Sequence, residues 1–533
     1  MRVGFVYSEM ETLGVEHLSS YLKEQGHQTT LFFDPQLFND TVSRSNAFSR
    51  IFGYQKRLIR QIIEWKPEIL AFSVLSTNYL WAKNLAQQIK CVMDIPIVWG
   101  GIHPTLSPES VIELDFVDFV VVGEGEQVLL ELVENLGSEK RLQTTANLWS
   151  KKDEIIFRNA VRPLIDDLDS LPFPDKGMFY STMPYLSRHY TIVTSRGCPH
   201  MCTFCCNHTL SNLSGGKEKF LRRRSAENVI AELKQAQERY KIEDVFFDDS
   251  TFTYDKNWLK LFSQLYKKHI NLRCFCWVYP AEVDEETVRY LIDMNIQAVE
   301  MGVESLNPHV RKKWLRRPHS NKKIQNALAL FKKNRIFVTV DNIVGLPEET
   351  INDLEHMADF YNRTRPEKIY IFELRPFPNT DMFTLYSEYK KNYSADNKEL
   401  LPFTLSSTSN KAYKQITALV CLIHLLPVKA VKMLLAKKWY RKLPAIDMYN
   451  LLEIVPFFIN FLKPAKHKRW FPIRGTRHRY FFFGSKIVRE FLLSISSDKL
   501  LKKIRSFFLL IKGEKKYSVI QNKPSGNVTG VDK

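Results

Sequence analysis

Three cysteines within a run of eight residues constrain this chain more than any other feature of its sequence. Cys198, Cys202 and Cys205 follow the spacing Cys-x3-Cys-x2-Cys. Thiolates this close together can face one metal cluster, and three of them leave a fourth ligand position open. A structural zinc site or a ferredoxin cluster normally has four protein ligands. The run therefore predicts a cluster with one iron free to bind a small molecule.

The residues around the cysteines argue against a chance grouping and against half of a zinc site. Arg196-Gly197 makes a turn after the apolar, β-like run 190–194, and Phe204 precedes the third cysteine. Cys206 follows at once and is predicted to be a packing residue. With this spacing and these neighbours, the run resembles the radical SAM family.

The resemblance implies that Cys198, Cys202 and Cys205 bind a [4Fe–4S] cluster whose open iron chelates S-adenosylmethionine (SAM). The reduced cluster then cleaves SAM to a 5′-deoxyadenosyl radical, which the protein must place and shield. Phe204 takes the family's aromatic position beside the adenine. An electron donor such as flavodoxin or ferredoxin is the implied partner. The sparse cysteines suit a reducing, cytoplasmic interior.

Residues 1 to about 140 alternate short apolar runs with helical patterns, which predicts an α/β domain with a doubly wound, Rossmann-like parallel sheet. The predicted strands are Val3–Tyr7, Thr29–Phe33, Ile69–Val74, Ile95–Trp99 and Phe116–Val122. Small residues follow the last three strands and let a large flat ligand approach the backbone. This pattern resembles the cobalamin-binding domain that precedes many radical SAM domains.

The resemblance implies a cobalamin site in the loops after these strands. Its predicted residues are Ser76, Thr77, Gly100, Gly101, His103, Gly123, Glu124 and Gly125. The family signature that supplies an axial histidine is missing, because the first strand is followed by Ser8-Glu-Met-Glu-Thr-Leu-Gly. His103 is interpreted as a residue of the loop around the nucleotide tail. The alternative is a Rossmann-like domain that binds no cobalamin.

Residues 188–395 repeat the strand–helix pattern six times, which predicts a partial (β/α)6 barrel of the TIM type with its site at the carboxyl ends of the strands. The family resemblance implies SAM contacts at several of these ends, although strand-end carboxylates are often merely solvated. The predicted SAM residues are Asp248, Asp249, Glu304, Ser305, Gly345 and Leu346. Glu373, after the sixth strand, is a candidate catalytic proton acceptor.

One departure from the family pattern concerns the end of the third barrel strand. Many cobalamin-type members have an arginine there, whereas this chain has Trp277-Val-Tyr279. Tyr279 can fill part of the space but has no positive charge. Arg375, after the sixth strand, is the residue that the sequence offers as compensation.

The net charge of +18 arises almost entirely between Lys411 and Lys516, where basic and aromatic residues are interleaved. A basic, mostly helical and aromatic segment suits an anionic membrane surface and a lipid substrate. It also suits a phosphate backbone, although nucleic acid is the less favoured partner, and it can be a plain cap with a solvated face. No uncharged apolar run is long enough for a transmembrane helix, so any contact is predicted to be peripheral, on the inner face of the membrane.

The predicted organisation has five parts. They are a B12-binding-type domain at 1–145, a proline-rich linker at 146–187, a radical SAM domain at 188–395, a basic C-terminal domain at 396–516 and a disordered tail at 517–533.

The resemblance implies cobalamin-dependent C-methylation of an unactivated carbon in a small-molecule, lipid or isoprenoid substrate. Cyclisation or rearrangement without methyl transfer, RNA modification and a non-catalytic cobalamin or redox sensor are the alternatives. RNA methylthiolation would need a second set of three cysteines near the N-terminus, where the chain has Cys91 alone.

Overall fold

Two sheets built mainly from parallel strands organise the chain. The computed structural model describes residues 1–8, 10–37, 53–392, 411–423, 425–443 and 483. The predictions for the remaining positions, including most of the basic segment and the whole tail, lie outside the described residues.

The first sheet has seven strands in the order β2-β1-β3-β4-β5-β6-β7. Its strands are β1 (Arg2–Ser8), β2 (Gln28–Asp34), β3 (Ile69–Ser73), β4 (Ile97–Gly100), β5 (Phe119–Val121), β6 (Leu148–Lys152) and β7 (Ile155–Arg158). The strands from β1 to β5 pair in parallel, as predicted for a doubly wound sheet. The helices are α1 (Leu13–Glu24), α2 (Gln55–Trp65), α3 (Tyr79–Lys90), α4 (Ile102–Leu106), α5 (Pro108–Ile112), α6 (Glu126–Glu134), α7 (Glu139–Leu142) and α8 (Lys176–Thr182).

The predicted linker at 146–187 is wrong for much of its length. The antiparallel hairpin β6–β7 extends the first sheet, with Leu148 fully buried. Helix α8 packs Phe179 into the same core. The hairpin sits at the sheet edge, where Lys152, Ile155 and Arg158 are exposed, so its short strands lack a clear alternation of apolar and polar residues.

The second sheet has six parallel strands in the order β15-β14-β13-β12-β11-β8, so neighbours in space are neighbours in the chain. Its strands are β8 (His189–Ile192), β11 (Asp244–Phe247), β12 (Arg273–Val278), β13 (Ile296–Glu304), β14 (Phe337–Val344) and β15 (Lys368–Glu373), while β9 (Ser195–Arg196) and β10 (Arg222–Arg223) form a separate antiparallel ribbon. This confirms the predicted partial (β/α)6 architecture.

Five helices share a core with one face of this second sheet: α11 (Ala226–Arg239), α12 (Lys256–His269), α13 (Glu285–Asp293), α15 (Asn321–Lys333) and α16 (Ile351–Thr364). Four further helices lie outside that core: α9 (Cys206–Leu213), α10 (Lys217–Phe220), α14 (Pro308–Lys313) and α17 (Asp381–Asn392). Ser225 caps α11, because its side chain accepts the Asn228 N–H. Alternate residues such as Val245 and Phe247 pack under the helices, so Phe246 and Asp248 point to the other face.

Two further helices belong to the basic segment, α18 (Lys411–Leu422) and α19 (Val428–Ala436). Their residues Ile416, Leu419 and Val431 are buried in the same core as the barrel helices. This part of the segment is therefore packed against the barrel. None of the helices in the described ranges combines the length and apolarity needed to cross a bilayer.

A buried ion triad joins the loop after β1 to α8 within the first domain. The Lys176 Nζ lies 3.0 Å from Glu11 Oε1 and 2.8 Å from Glu16 Oε2, and all three side chains are nearly or fully buried. Thr191 Oγ1, on β8, donates a hydrogen bond to Glu11 Oε2 at 3.4 Å. The loop after β1, which lacks the family's histidine motif, is therefore fixed to α8 by charge and to the barrel by this hydrogen bond.

We expect Lys176→Met to destabilise the fold by about 3–5 kcal/mol, because it leaves two buried carboxylates without their counter-charge. Denaturant unfolding measures this loss. Lys23→Met is the matched control, since Lys23 is exposed and its bridge to Asp175 is worth at most about 1 kcal/mol. Equal losses in the two variants would contradict the assignment.

Candidate active site

The cysteine loop is shaped by a glycine at its start and a helix at its end. Gly197 has φ 94°, and a Cβ there would lie 2.5 Å from the Phe220 carbonyl oxygen, so only glycine fits. Cys205 is the N-cap residue of α9, and its N–H donates to the Cys202 carbonyl at 3.2 Å. The loop thereby turns back on itself between the second and the third cysteine.

The three thiols influence one another, as a shared site requires. Burial raises the pKa of Cys198 to about 12 and that of Cys202 to about 11, and the neighbouring thiols add to both effects. Metal binding must displace these protons, since the thiolate is the ligand. Soft sulfur donors of this kind fit an iron–sulfur cluster.

The thiols are not arranged around a point. Within the described parts of the chain, no three His, Cys, Asp or Glu side chains are placed to hold a single metal ion. A cluster of several irons receives each thiolate at a different iron. Cys206 lies within hydrogen-bonding distance of Cys205, and this contact raises the pKa of Cys205 together with burial. Its role as a packing residue stays a prediction.

The structure brings together two residues predicted to contact adenine. Phe204 and Leu346 belong to one small hydrophobic cluster, with Trp314 and Met382. Gly345, directly before Leu346, has φ 77°. The apolar patch lies beside the third cysteine, where the sequence placed the adenine.

Glu349 fixes this glycine loop from below. Its Oε2 accepts the N–H groups of Gly345 at 2.7 Å and Leu346 at 3.3 Å. Burial raises the pKa of Glu349 to about 8, although the two hydrogen bonds act in the opposite direction. The sequence analysis missed this residue, which is separated from the strand end by a short turn.

Arg317 provides the positive charge that appeared to be missing after the third barrel strand. Its NH1 lies 3.2 Å from Glu304 Oε1 and 3.9 Å from Cys202 Sγ. The guanidinium also lies over the Tyr279 ring, 4.4 Å from the centroid. Arg375, the expected substitute, is exposed, and its role as compensation stays a prediction. Arg317 was missed because it follows α14 and not a strand.

Glu304 stands at an irregular end of β13. Its φ is 66°, and the pairing with β14 shifts register between Gly302 and Glu304. Burial raises the pKa of Glu304, while the charge of Arg317 partly offsets this effect. Ser305 is also buried, and its carbonyl accepts a bond from Arg311 NH1 at 2.6 Å. A strained residue next to the cluster loop is typical of a functional site.

The two aspartates after β11 have different environments. Asp249 is buried, and its Oδ1 accepts bonds from Thr194 N at 3.0 Å and Ser195 Oγ at 2.5 Å. Asp249 therefore supports the strand end that leads into the cysteine loop, and its predicted SAM contact stays a prediction. Asp248 has an accessible side chain and accepts a bond from Trp277 Nε1 at 3.2 Å. Surrounding protein nevertheless desolvates Asp248 and raises its pKa to about 6.

Glu373 lies at the end of β15, next to the exposed Phe372. Glu373 itself is half-buried. This position on the same edge as Asp248 agrees with a site at the carboxyl ends of the strands.

The loops after β3, β4 and β5 converge, as predicted for the cobalamin site. Gly101 has φ 99°, and a Cβ there would lie 3.0 Å from Val74 N. Thr105 Oγ1 accepts the Gly123 N–H at 3.1 Å, and Gly123 has φ 92°. The predicted glycines thus form a closely packed cradle, with Gly100 ending β4 and Gly125 packed against Leu18.

His103 lies in the middle of this cradle. The ring is buried, with Nδ1 3.0 Å from Ser76 Oγ and its centroid 4.6 Å from that of Tyr79. The other nitrogen, Nε2, is buried and has no hydrogen-bond partner among the residues that the structure describes. Burial lowers the pKa of His103, which favours a neutral ring. A glycine cradle with one unpaired buried nitrogen fits a large polar cofactor, whereas Thr77 is exposed at its rim.

Glu124 has a different environment from the one expected. Its Oε1 lies 2.8 Å from Arg196 NH1 and 2.9 Å from Arg222 NH2. Burial alone would raise the pKa of Glu124, but the hydrogen bonds and charges of the two arginines outweigh this effect and lower it. Glu124 therefore forms an ion pair with the barrel domain, and its predicted cobalamin contact stays a prediction.

Comparison with known proteins identifies both domains. Residues 2–133 match the B12 binding domain, and residues 192–361 match the radical SAM superfamily. The chain is 25% identical over 384 residues to an uncharacterized methyltransferase, PH0819, of Pyrococcus horikoshii, covering 70% of this chain and 77% of that protein. It is 24% identical over 414 residues to an anaerobic magnesium-protoporphyrin IX monomethyl ester cyclase of Rubrivivax gelatinosus, covering 72% and 69%.

A solved structure has the same arrangement. It is the cobalamin-dependent S-adenosylmethionine radical enzyme OxsB with aqua-cobalamin and S-adenosylmethionine bound, at a TM-score of 0.59 and 15% identity. The match covers 95% of this chain and 83% of that chain. This likeness shows that the two domains share their fold with that enzyme.

We expect alanine at Cys198, Cys202 or Cys205 to abolish an iron–sulfur cluster of about four irons per chain. Cys206→Ala is the matched control and should retain the iron, because Cys206 lies outside the predicted spacing. Anaerobic reconstitution followed by iron analysis measures both. Retention of iron in Cys205→Ala together with its loss in Cys206→Ala would reassign the third ligand.

Glu349 should make stability depend on pH. Its pKa is about 8 in the folded chain, against about 4.3 for an unperturbed glutamate. The folded state therefore keeps the proton on Glu349 to a higher pH than the unfolded state does. The contribution of protonated Glu349 to the free energy of unfolding is fully present below the unfolded-state pKa and is lost as the pH rises towards the folded-state pKa. Glu349→Gln should become more stable relative to the parent at the alkaline end of this window. A difference in unfolding free energy that stays constant with pH would contradict the assignment.

Proposed function

We propose that this chain, a radical SAM enzyme with an N-terminal B12-binding domain, is a cobalamin-dependent methyltransferase that acts on a carbon of a polar small molecule. The observation that carries the proposal is the arrangement of the loops. The glycine cradle of the first sheet and the cysteine loop of the second are joined directly through Glu124 and Arg196. Two loops held in contact in this way can serve one substrate placed between them.

Each group of site residues has a separate role in the proposed reaction. The three cysteines hold the cluster, which together with SAM supplies a 5′-deoxyadenosyl radical when bound, while cobalamin in the cradle supplies the methyl group. Arg317 binds the SAM carboxylate, since its NH1 lies 3.9 Å from Cys202 Sγ and a guanidinium pairs well with a carboxylate. Glu304 accepts hydrogen bonds from the amino group or ribose, and Phe204 with Leu346 packs against the adenine.

A proton acceptor would be needed only if the methylated carbon loses its hydrogen as a proton, because a 5′-deoxyadenosyl radical would remove that hydrogen as an atom. Asp248 suits this role because its pKa of about 6 lets it accept a proton near neutral pH. Its side chain is accessible from the interior of the barrel, where Trp277 orients it. Glu373, at the end of β15 on the same edge of the sheet, remains the alternative acceptor. The assignment of Asp248 as the proton acceptor predicts that Asp248→Asn lowers turnover more than Glu373→Gln does.

The interior of the barrel favours a polar substrate over an isoprenoid. Glu300 and Asp341 lie on adjacent strands and within hydrogen-bonding distance of each other. Burial raises the pKa of Glu300 to about 7. A hydrocarbon packed against these carboxyls would add to the cost of their desolvation, whereas a hydroxyl or amine would satisfy them.

The test is an anaerobic assay with cluster, hydroxocobalamin and SAM that carries a trideuterated methyl group. We expect 5′-deoxyadenosine and S-adenosylhomocysteine, with cobalamin required for the second product only. 5′-Deoxyadenosine without S-adenosylhomocysteine would favour cyclisation or rearrangement, as the cyclase relative suggests. If neither product forms, the non-catalytic sensor is the hypothesis that remains.

Arg317→Met should raise the SAM dissociation constant by about ten- to a hundred-fold, because it removes a charge-assisted hydrogen bond of roughly 1.5–3 kcal/mol. Arg375→Met is the matched control and should bind SAM normally, since Arg375 is exposed. Equilibrium dialysis with the reconstituted protein measures both. The opposite ranking would restore the expectation based on the sequence alone.

A membrane contact is supported by the surface of α19 and the turn after it. Val428 and Met433 are exposed on this helix, and Trp439 is exposed beyond it. Lys432 and Lys437 lie on the same exposed stretch. Exposed apolar and cationic side chains together fit an anionic bilayer.

Met433→Glu should reduce co-sedimentation with vesicles that contain anionic lipid, because it places a negative charge in the apolar patch. Leu261→Glu is the control, because Leu261 is exposed on α12 and lies outside this apolar patch. Met201 is also exposed but is unsuitable as a control, because it lies in the cysteine loop. Equal sedimentation of the parent chain with neutral and anionic vesicles would contradict binding to an anionic membrane.

A further inference from the structure

Two arginines stand side by side between the domains. Arg196 on β9 and Arg222 on β10 are direct partners in the antiparallel ribbon. Arg196 immediately precedes Gly197, whose conformation starts the cysteine loop. The ribbon therefore places a pair of guanidinium groups at the base of the loop that carries the predicted cluster ligands.

Both guanidinium groups bind the loop after β5 in the other domain. Arg196 NH1 donates to Glu124 Oε1 at 2.8 Å, and its NH2 donates to Glu126 Oε1 at 2.6 Å. Arg222 binds both oxygens of Glu124, at 2.9 and 3.1 Å. The Ile165 N–H donates to Glu124 Oε2 at 2.8 Å, and the Ile165 carbonyl accepts from Arg222 NH1 at 2.5 Å.

These four charges balance and are largely removed from water. Arg222 and Glu126 side chains are 6% and 5% exposed, and those of Arg196 and Glu124 are 20% and 18% exposed. Removing one member leaves its partner buried without a counter-charge, which costs far more than losing a surface bridge. The network is therefore stiff, and it lies between Gly123 on one side and Gly197 on the other.

We infer that Arg196 and Glu124 are positioning residues that hold the glycine cradle of the first domain and the cysteine loop of the second in one fixed relation. The inference rests on the proposed function, in which both loops serve one substrate. It assigns Glu124 to coupling between the sites, and it predicts that a change at either loop is felt at the other, because such coupling is reciprocal.

Hydrogen exchange of the full chain tests this coupling without any turnover. Arg196→Gln should speed exchange of the amides at 122–126, in the other domain, by about ten-fold or more. Glu124→Gln should do the same for the amides at 195–206. Lys267→Gln, which removes an exposed bridge to Asp293 within the barrel domain, is the control and should change neither segment.

Exchange that rises only in the domain carrying the substitution would overturn the inference. Should Arg196→Gln fail to fold, Arg196→Lys keeps the charge with fewer donors and should give an intermediate effect, while Glu124→Gln tests the same contact from the opposite side. The measurement needs no bound cofactor. Failure of the proposed function, seen as absence of methyl transfer, is therefore distinguishable from failure of the coupling.

Discussion

The ion network of Glu124, Glu126, Arg196 and Arg222 is the contact on which the arrangement of the site depends. Parallel strands bring the functional loops of each sheet to one edge, but nothing in either sheet alone brings the two edges together. Buried charges accomplish this because they require both partners at once. The Thr191 hydroxyl adds a hydrogen bond from the barrel to Glu11, a member of the Lys176 triad in the first domain.

Charge also organises the site within the barrel. Arg317 is buried next to Glu304 and Cys202, where it is held against Tyr279. The same guanidinium donates to the Gly302 carbonyl at 2.5 Å, next to the register shift in β13. The irregular strand end, the cation and the cysteine loop thus form one unit, and SAM is the ligand whose zwitterionic group matches it best.

The sequence predicted the parts of this molecule that depend on local pattern. The five parallel strands of the first domain, the six of the barrel and the spacing of the cysteines all follow from apolar periodicity or from short motifs. It failed where partners are distant in the chain. Arg317 follows a helix, Glu124 is paired with residues about 70 and 100 positions away, and β6–β7 is an edge hairpin with a weak pattern.

The most direct test of the account is the metal content of the chain after anaerobic reconstitution with iron, sulfide and hydroxocobalamin. We expect about four irons per chain, as for one [4Fe–4S] cluster, together with a stoichiometric amount of cobalt that stays bound through gel filtration. Iron retained without cobalt would contradict cobalamin-dependent methyl transfer, even if SAM were still cleaved.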